Sequence, residues 1–211
     1  MGPARAEGAG RSSGTVRRAT IEARAMDVSC GEGAGINSFA LVTYVPEPLA
    51  GFIESFRQEA QPGCKARSHL TFLPPRPLDI PLEKIRTELE AGLRNQSPFM
   101  VELREVEVFD VSKVIHLSVG KGWDRALQIH QILQQGNLEC KEFFEYHPHV
   151  TLAQDIDPAK VTEVADLAAR RWKEYSGRRD FLVDHVTLVQ NTVENRWTNL
   201  GEFALRVPVS V

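Results

Sequence analysis

The sequence repeats one short pattern, His69-Leu70-Thr71 in the first half of the chain and His149-Val150-Thr151 in the second. In each copy an apolar residue separates a histidine from a threonine, and this alternation predicts a β-strand. On a strand, residues i and i+2 point to the same face, so each copy is expected to present one imidazole beside one hydroxyl. Because the two histidines are 80 positions apart (149 − 69), we expect two similar half-domains that deliver these groups to one shared cleft.

Two imidazoles and two hydroxyls form a site suited to acid–base chemistry on a phosphate ester without a metal. Imidazole has an ordinary pKa near ~6.5, so it can accept a proton or donate one at neutral pH. One histidine can take a proton from the attacking group while the other protonates the leaving oxygen, and each transfer is typically worth ~10²–10⁴-fold in rate. The threonine hydroxyls can donate to the non-bridging phosphate oxygens. A single copy would be ordinary strand sequence, since threonine is common in strands, and the pairing favours function.

Bulk properties limit the class of protein. The length of 211 residues and a hydrophobic fraction of 42% suit one large domain or two closely packed lobes. A net charge of −3 argues against a coat for long nucleic acid and is compatible with a small phosphorylated ligand. The three cysteines contain no Cys-x-x-Cys pair, which argues against structural zinc and favours a reduced, cytoplasmic setting. No apolar run approaches the ~20 residues of a membrane span.

The chain divides into an N-terminal tail and one folded region. Residues 1–36 are rich in Gly, Ala, Arg and Ser without an apolar period, which predicts a disordered tail, with an organelle-targeting peptide as the alternative. Residues 37–211 are expected to form a single domain with two lobes. Strand–helix–strand patterns surround both motifs and predict an α+β, or two-lobed α/β, fold with internal pseudo-symmetry.

Local signals predict where the elements end. Pro74, Pro75 and Pro77 are expected to stop the first motif strand, because proline has no ladder donor. A slip in the alternation near Arg104 suggests a bulge in the strand that contains it. Gly136 is expected to cap the C-terminus of a helix over Trp123–Gln135.

The end of the chain predicts two further strands. The apolar pattern places one over Arg179–Gln190 and a second over Trp197–Val207, and the two could form a hairpin.

The wider strings HLTFLPPRPL (residues 69–78) and HPHVTLA (residues 147–153) resemble the signature of the 2H phosphoesterase superfamily, which includes the 2′-5′ RNA ligase-like proteins. The string FLVDHVTLV (residues 181–189) resembles the last hairpin of that superfamily. The resemblance implies an α+β fold with antiparallel sheets flanking a central cleft and helices outside. It also implies catalysis without metal or cofactor on 2′,3′-cyclic phosphates or 2′-5′ linkages of nucleotides or RNA ends. His69 and His149 would be the acid–base pair, and Thr71 and Thr151 the phosphate-binding hydroxyls.

Other residues are weaker candidates. Arg67, Arg76 and Tyr146 could contact substrate, although a solvated surface charge is the simpler interpretation of the two arginines and core or lid packing is the alternative for Tyr146. Gln154 stands where many RNA-ligase-like proteins have a basic residue, which weakens the case for tight RNA binding. A third copy, His185-Val186-Thr187, has no half-domain of its own, so we interpret it as non-catalytic.

Two other functions remain open at this point. The chain could be a nucleotide- or RNA-binding module with little turnover, or a metal-dependent hydrolase that uses His147 and His149 as ligands. For the leading hypothesis we expect a small nucleotide or RNA-end substrate, no membrane partner, no bound metal and a monomer in the cytoplasm.

Overall fold

The structure is a computed structural model that describes residues 37–192 and 196–207. The predicted tail, residues 1–36, lies outside the described residues. Within the described part, two four-stranded antiparallel sheets are packed with four helices, which is the predicted two-lobed α+β architecture. In chain order the elements are β1 Ser38–Tyr44, α1 Leu49–Ala60, β2 His69–Pro77, α2 Leu82–Leu93, β3 Phe99–Val108, β4 Ile115–Val119, α3 Trp123–Leu133, a 3₁₀ turn Gly136–Leu138, β5 His149–Ala153, α4 Val161–Glu174, β6 Asp180–Val183, β7 His185–Thr192 and β8 Arg196–Ala204.

The helices form because their apolar residues recur at helical spacing. In α2, Ile85, Leu89 and Leu93 lie one turn apart and are all buried. The same spacing buries Ile129 and Leu133 of α3. These stripes pack into one apolar core that includes residues of both sheets, so the two lobes share their interior.

The order of strands places the two motifs at matching positions. The first sheet has the order β2-β1-β7-β8 and the second has the order β5-β4-β3-β6, with all pairs antiparallel. Each motif strand, β2 or β5, is therefore at one edge of its sheet. Each motif strand is the last element of a strand–helix–strand unit, β1-α1-β2 in one lobe and β4-α3-β5 in the other. The helices cross over, since α1 packs against β5 and α3 packs against β2.

The first motif strand does not stop at its prolines, so that prediction is wrong. β2 continues to Pro77, where it still pairs with Ser38 of β1. As an edge strand, β2 pairs with β1 on one side alone, and a missing N–H is tolerated on the other side. The register of β1 against β2 also shifts between Phe39 and Val42, which accommodates the irregular proline segment of β2.

The predicted strand Arg179–Gln190 is also wrong, because the chain changes sheets within it. β6 pairs with β3 in the second sheet, whereas β7 pairs with β1 in the first. Asp184 lies between the two strands, and its carbonyl accepts from the N–H of Leu205 at 2.7 Å. The predicted hairpin is confirmed as β7 with β8.

Gly136 does not cap α3 as predicted. The helix ends at Leu133 with Gln134 as its C-cap, and Gly136, at φ 59°, opens the following 3₁₀ turn. The Gln134 side chain binds the carbonyl of Cys140 and the guanidinium of Arg76, and these bonds hold the segment after the helix in a turn.

The shared core gives a direct prediction for stability. Leu117 of β4 is fully buried, whereas Leu182 of β6, in the same sheet, is 52% exposed. Leu117→Ala should lower the free energy of unfolding by about 2–5 kcal/mol because it leaves a cavity. The matched control Leu182→Ala should change it by less than about 0.5 kcal/mol. Urea unfolding followed by circular dichroism measures both, and equal effects would contradict the described orientation of the second sheet.

Candidate active site

Both motifs lie on strands, as the sequence predicts, and both turn their polar residues away from the core. Leu70 and Val150, the apolar residues between each histidine and threonine, are fully buried in the shared core. The alternation of a strand then places His69 with Thr71, and His149 with Thr151, on the opposite face of each sheet. His69 is 4% exposed, and the exposed fraction of His149 is larger.

The two motif histidines have the same backbone hydrogen bond. Nδ1 of His69 lies 2.7 Å from the carbonyl oxygen of Arg67, and Nδ1 of His149 lies 2.7 Å from that of His147. A carbonyl oxygen can only accept, so in both rings Nδ1 must carry the proton. In the neutral ring Nε2 then holds the lone pair. Both imidazoles are therefore held in the tautomer that can accept a proton at Nε2 and, once charged, return it from the same atom.

One buried arginine joins the two motif strands. Arg57 of α1 donates from Nε to the carbonyl of Thr151 at 3.0 Å, and its Nη2 contacts the same oxygen. Nη1 donates to the carbonyls of Ala66 at 3.1 Å and Arg67 at 3.2 Å, just before β2. The oxygen of Arg67 also accepts from His69. A single guanidinium thus connects the backbone of the second motif to the carbonyl that orients the histidine of the first.

The second lobe holds the first motif in the reciprocal way. Tyr146 donates its hydroxyl to the carbonyl of Thr71 at 2.7 Å, and Nδ1 of His130, on α3, donates to the carbonyl of Phe72 at 2.8 Å. The rings of Tyr146 and His130 stack with centroids 4.0 Å apart and planes 6° apart. Burial, aided by the charge of Glu142, raises the pKa of Tyr146. Its hydroxyl therefore stays protonated and remains a donor.

A cavity of about 360 Å³ lies beside the two motifs. Thr71 of the first motif and His149 of the second both line it, whereas His69 and Thr151 do not. Much of the remaining wall is apolar. Three of its side chains are large, apolar and exposed: Val111, Phe143 and Phe144.

The structure places the other candidate residues in different settings. Arg76 is buried, and its guanidinium already has protein partners. It bonds to Gln134 at 2.6 Å and forms an ion pair with Glu142 at 2.8 Å. Arg67 lies over the ring of Tyr44, 3.6 Å from its centroid. Arg76 and Tyr146 line the cavity, and Arg67 does not.

The third His-x-Thr copy lies apart from the cavity. It is on β7, and β1 separates it from the first motif strand. Nδ1 of His185 bonds to the carboxylate of Asp184 at 2.6 Å, and Thr187 is fully buried. The environment of this copy differs from the backbone-oriented setting of the other two.

Aromatic rings surround the second motif. Phe109 stacks on His116 at 3.9 Å and meets His149 edge-on at 5.0 Å. Trp123 meets His147 edge-on at 4.6 Å. Burial, with the nearby His149, lowers the pKa of His147, so its ring is predominantly neutral at neutral pH.

Of the metal pair suggested by the sequence, His147 belongs to a group of three converging donor residues and His149 does not. Among the described residues, the donor atoms that come together belong to Glu107, His116 and His147.

The sequence prediction missed Arg57 and His130, although the position of each on its helix was informative. Arg57 follows Ile53 by four positions, and His130 follows Ala126 by four, so each stands on the apolar stripe of its helix. A charged or polar residue on a buried stripe must have a polar partner. Here Arg57 binds the carbonyl of Thr151 on the second motif strand, and His130 binds the carbonyl of Phe72 on the first.

Comparison with known proteins finds relatives in sequence and in fold. The chain matches the family model of the 2′-5′ RNA ligase superfamily over residues 45–195. A curated relative from Oceanobacillus iheyensis, named "Putative phosphoesterase OB1230", is 25% identical over 119 residues, which are 56% of this chain and 67% of that protein.

Solved structures share the fold. Escherichia coli LigT complexed with phosphate has a TM-score of 0.56 at 18% identity, covering 80% of this chain and 97% of LigT. LigT complexed with 3′-AMP has a TM-score of 0.57 at 19% identity, covering 81% and 99%. The protein TT0787 of Thermus thermophilus has a TM-score of 0.56 at 18% identity, covering 81% and 98%. In the described residues, no helix combines the length and the apolar character that crossing a membrane requires.

The bridge made by Arg57 predicts a large loss of stability on its removal. Arg57→Met keeps an apolar stem of similar shape but removes the guanidinium and leaves the buried carbonyl of Thr151 without this donor. The free energy of unfolding should fall by about 2–4 kcal/mol, measured by urea unfolding. Arg171→Met removes an exposed pair with Glu59 and should cost less than about 1 kcal/mol. A loss at Arg57 no greater than that at Arg171 would contradict the bridge.

Tyr146 predicts a specific dependence of stability on alkaline pH. Since its pKa is raised in the folded state, its contribution is complete below the unfolded pKa of about 10 and is lost as the pH rises above that value. Above about pH 10, the free energy of unfolding of the wild type should fall more steeply than that of Tyr146→Phe, by up to about 1.4 kcal/mol per pH unit. Parallel slopes in chemical denaturation at pH 9–11 would show that the hydroxyl is solvated instead.

Proposed function

This chain belongs to the 2′-5′ RNA ligase superfamily, and we propose that it is a metal-independent phosphodiesterase that opens 2′,3′-cyclic phosphates on nucleotides or RNA ends. The observation that carries the proposal is the pair of motif histidines with identical backbone hydrogen bonds. Their strands are joined edge to edge through Arg57, and Thr71 and His149 line one cavity.

The proposed reaction is an in-line attack of water on the cyclic phosphorus. One neutral imidazole removes a proton from the water at Nε2 as the new P–O bond forms. The other imidazole, protonated, gives its proton from Nε2 to the leaving ribose oxygen as the P–O bond to that oxygen breaks. By the family resemblance the leaving oxygen is the 3′ one, and the product is a 2′-phosphate. Protons exchanged with solvent restore the starting states, and the same pair could run the reverse ligation with the roles exchanged.

The threonines supply donors where negative charge grows. In the trigonal-bipyramidal transition state the non-bridging oxygens carry more charge than in the substrate, so a fixed hydroxyl stabilises the transition state more. Thr71 and Thr151 each share a strand face with one histidine, which keeps donor and acid–base group at a constant spacing. The phosphate would therefore be held by both lobes at once.

The cavity favours a short substrate. Its charged wall residues are Arg76 and Lys141 against Asp110, Glu142 and Glu145, and Arg76 is already paired with Glu142. This balance offers no basic strip for a long phosphate backbone. The exposed rings of Phe143 and Phe144 are suited to stacking one base. The solved complex of LigT with 3′-AMP is consistent with a nucleotide-sized ligand.

The environment of Gln154 is consistent with a short substrate. Its side chain is 5% exposed and donates to Asp155, so the position adds no cation to the cavity. A single-nucleotide substrate or the last nucleotide of an RNA end requires no such cation. The monomeric state and the cytoplasmic location remain predictions.

The paired roles predict equal and non-additive losses. His69→Ala and His149→Ala should each lower kcat/KM for hydrolysis of a 2′,3′-cyclic nucleotide by about 10²–10⁴-fold. The double variant should lose little more than either single variant, because the two groups act on one transition state. Product formation is measured by chromatography with EDTA present throughout, and the chelator should leave the rate unchanged.

The third His-x-Thr copy supplies the matched control. His185→Ala should keep the wild-type rate, since His185 lies on β7 and bonds to Asp184. Full activity in His69→Ala or His149→Ala would refute the paired mechanism. Micromolar binding of the cyclic nucleotide by calorimetry without product would instead support a binding module with little turnover.

A further inference from the structure

A second cluster of chemically capable side chains lies beside the second motif. Glu107 and His116 are cross-strand partners on β3 and β4, and His116 is also paired with Thr151 of β5. His147 comes from the segment just before β5. One donor atom from each of Glu107, His116 and His147 lies within 4.8 Å of the other two. The mechanism proposed above uses none of these three side chains.

The donor set selects one class of ion. Two imidazole nitrogens and one carboxylate oxygen suit zinc and similar divalent transition metals, whereas Mg²⁺ and Ca²⁺ prefer sets made of oxygen alone. Bonds of about 2.0–2.2 Å to a tetrahedral ion place neighbouring donors about 3.4 Å apart. Glu107 is exposed and His147 is half-buried, so rotation of these side chains can close the remaining distance around the more rigid His116.

The surroundings orient the buried ring of the cluster. Nδ1 of His116 makes a long hydrogen bond of 3.4 Å to the carbonyl of Val114, which directs its Nε2 lone pair away from that carbonyl. Phe109 stacks on the same ring at 3.9 Å. Histidines that bind metals commonly donate their other N–H to a backbone carbonyl in this way, which fixes both tautomer and orientation.

We propose that Glu107, His116 and His147 bind one divalent ion of the zinc class, and that the bound ion inhibits the enzyme by blocking the approach of phosphate to His149. His147 and His149 line the same cavity, and the rings of His116 and His149 have centroids 5.2 Å apart. An ion held there, with water or an anion in its fourth position, occupies space beside His149. The inhibitory part rests on the proposed function, whereas the binding part does not.

Calorimetry with ZnCl₂ tests the binding part directly. The full chain, without an affinity tag and freed of metal by a chelator that is then removed, should bind one equivalent of Zn²⁺ and no Mg²⁺. Glu107→Gln, at an exposed position that leaves folding intact, should weaken Zn²⁺ binding at least about tenfold, and His147→Gln should do the same. Absence of saturable Zn²⁺ binding by the wild type, or unchanged affinity in Glu107→Gln, would overturn the site.

Two controls separate this site from other zinc ligands. His185→Gln alters another histidine–carboxylate pair, His185 with Asp184, and should bind Zn²⁺ as the wild type does. Cys140→Ser removes a free thiol at the same cavity and should also leave the affinity unchanged. Loss of binding in either control would assign the ion elsewhere and overturn the proposal.

The inhibitory part is measured as hydrolysis of a 2′,3′-cyclic nucleotide at increasing ZnCl₂. The wild type should lose activity over the range in which calorimetry shows binding, and Glu107→Gln should need at least about tenfold more Zn²⁺ for the same loss. Saturable binding without inhibition of an active enzyme would overturn the inhibitory part alone. An inactive wild type that still binds Zn²⁺ would count against the proposed function and leave the metal site supported.

Discussion

The arrangement of the two lobes depends on the side chains that hydrogen-bond to the backbone carbonyls of their edge strands. An edge strand presents a row of carbonyls without strand partners, and a buried carbonyl without a donor costs about as much as a lost hydrogen bond. Here the motif strands β2 and β5 are both edge strands. Arg57 of the first lobe binds the carbonyl of Thr151 in the second, and Tyr146 and His130 of the second lobe bind carbonyls of β2 in the first. The bonds that complete each edge are the bonds that hold the motifs together.

In this arrangement the backbone orients the side chains to which we assign the chemistry. Each motif histidine is oriented by a carbonyl two residues earlier in its own chain segment, so its tautomer needs no carboxylate partner. The carbonyl that orients His69 also accepts from Arg57, and Arg57 in turn binds the second motif strand. His69 therefore belongs to a hydrogen-bond network that reaches the second motif strand through Arg57, and such a network lowers the cost of holding an acid–base group in place. The wall of the cavity beside His149 is mostly apolar.

Much of this was predictable because it depends on local pattern. Alternation around His69 and His149 predicted the motif strands, and the slip near Arg104 predicted the irregular register of β3 with β4. The superfamily and the α+β fold also followed from the sequence. The assignment of catalytic roles remains a proposal.

The rest depended on contacts between residues far apart in the chain. The prolines of β2 are tolerated because the strand is an edge, and edge position is a property of the sheet. The break at Asp184 is invisible because alternation continues across it while the chain changes sheets. Arg57 and His130 could have been suspected as polar residues on apolar stripes, but their carbonyl partners lie 94 and 58 positions away.

The most direct test of the central claim is a crystal structure with a nucleoside 2′-phosphate, the proposed product. We expect Nε2 of His69 and Nε2 of His149 both to lie within about 3 Å of oxygens on the same phosphorus. A phosphate bound by only one of the two rings, or bound away from both Thr71 and His149, would contradict the paired site.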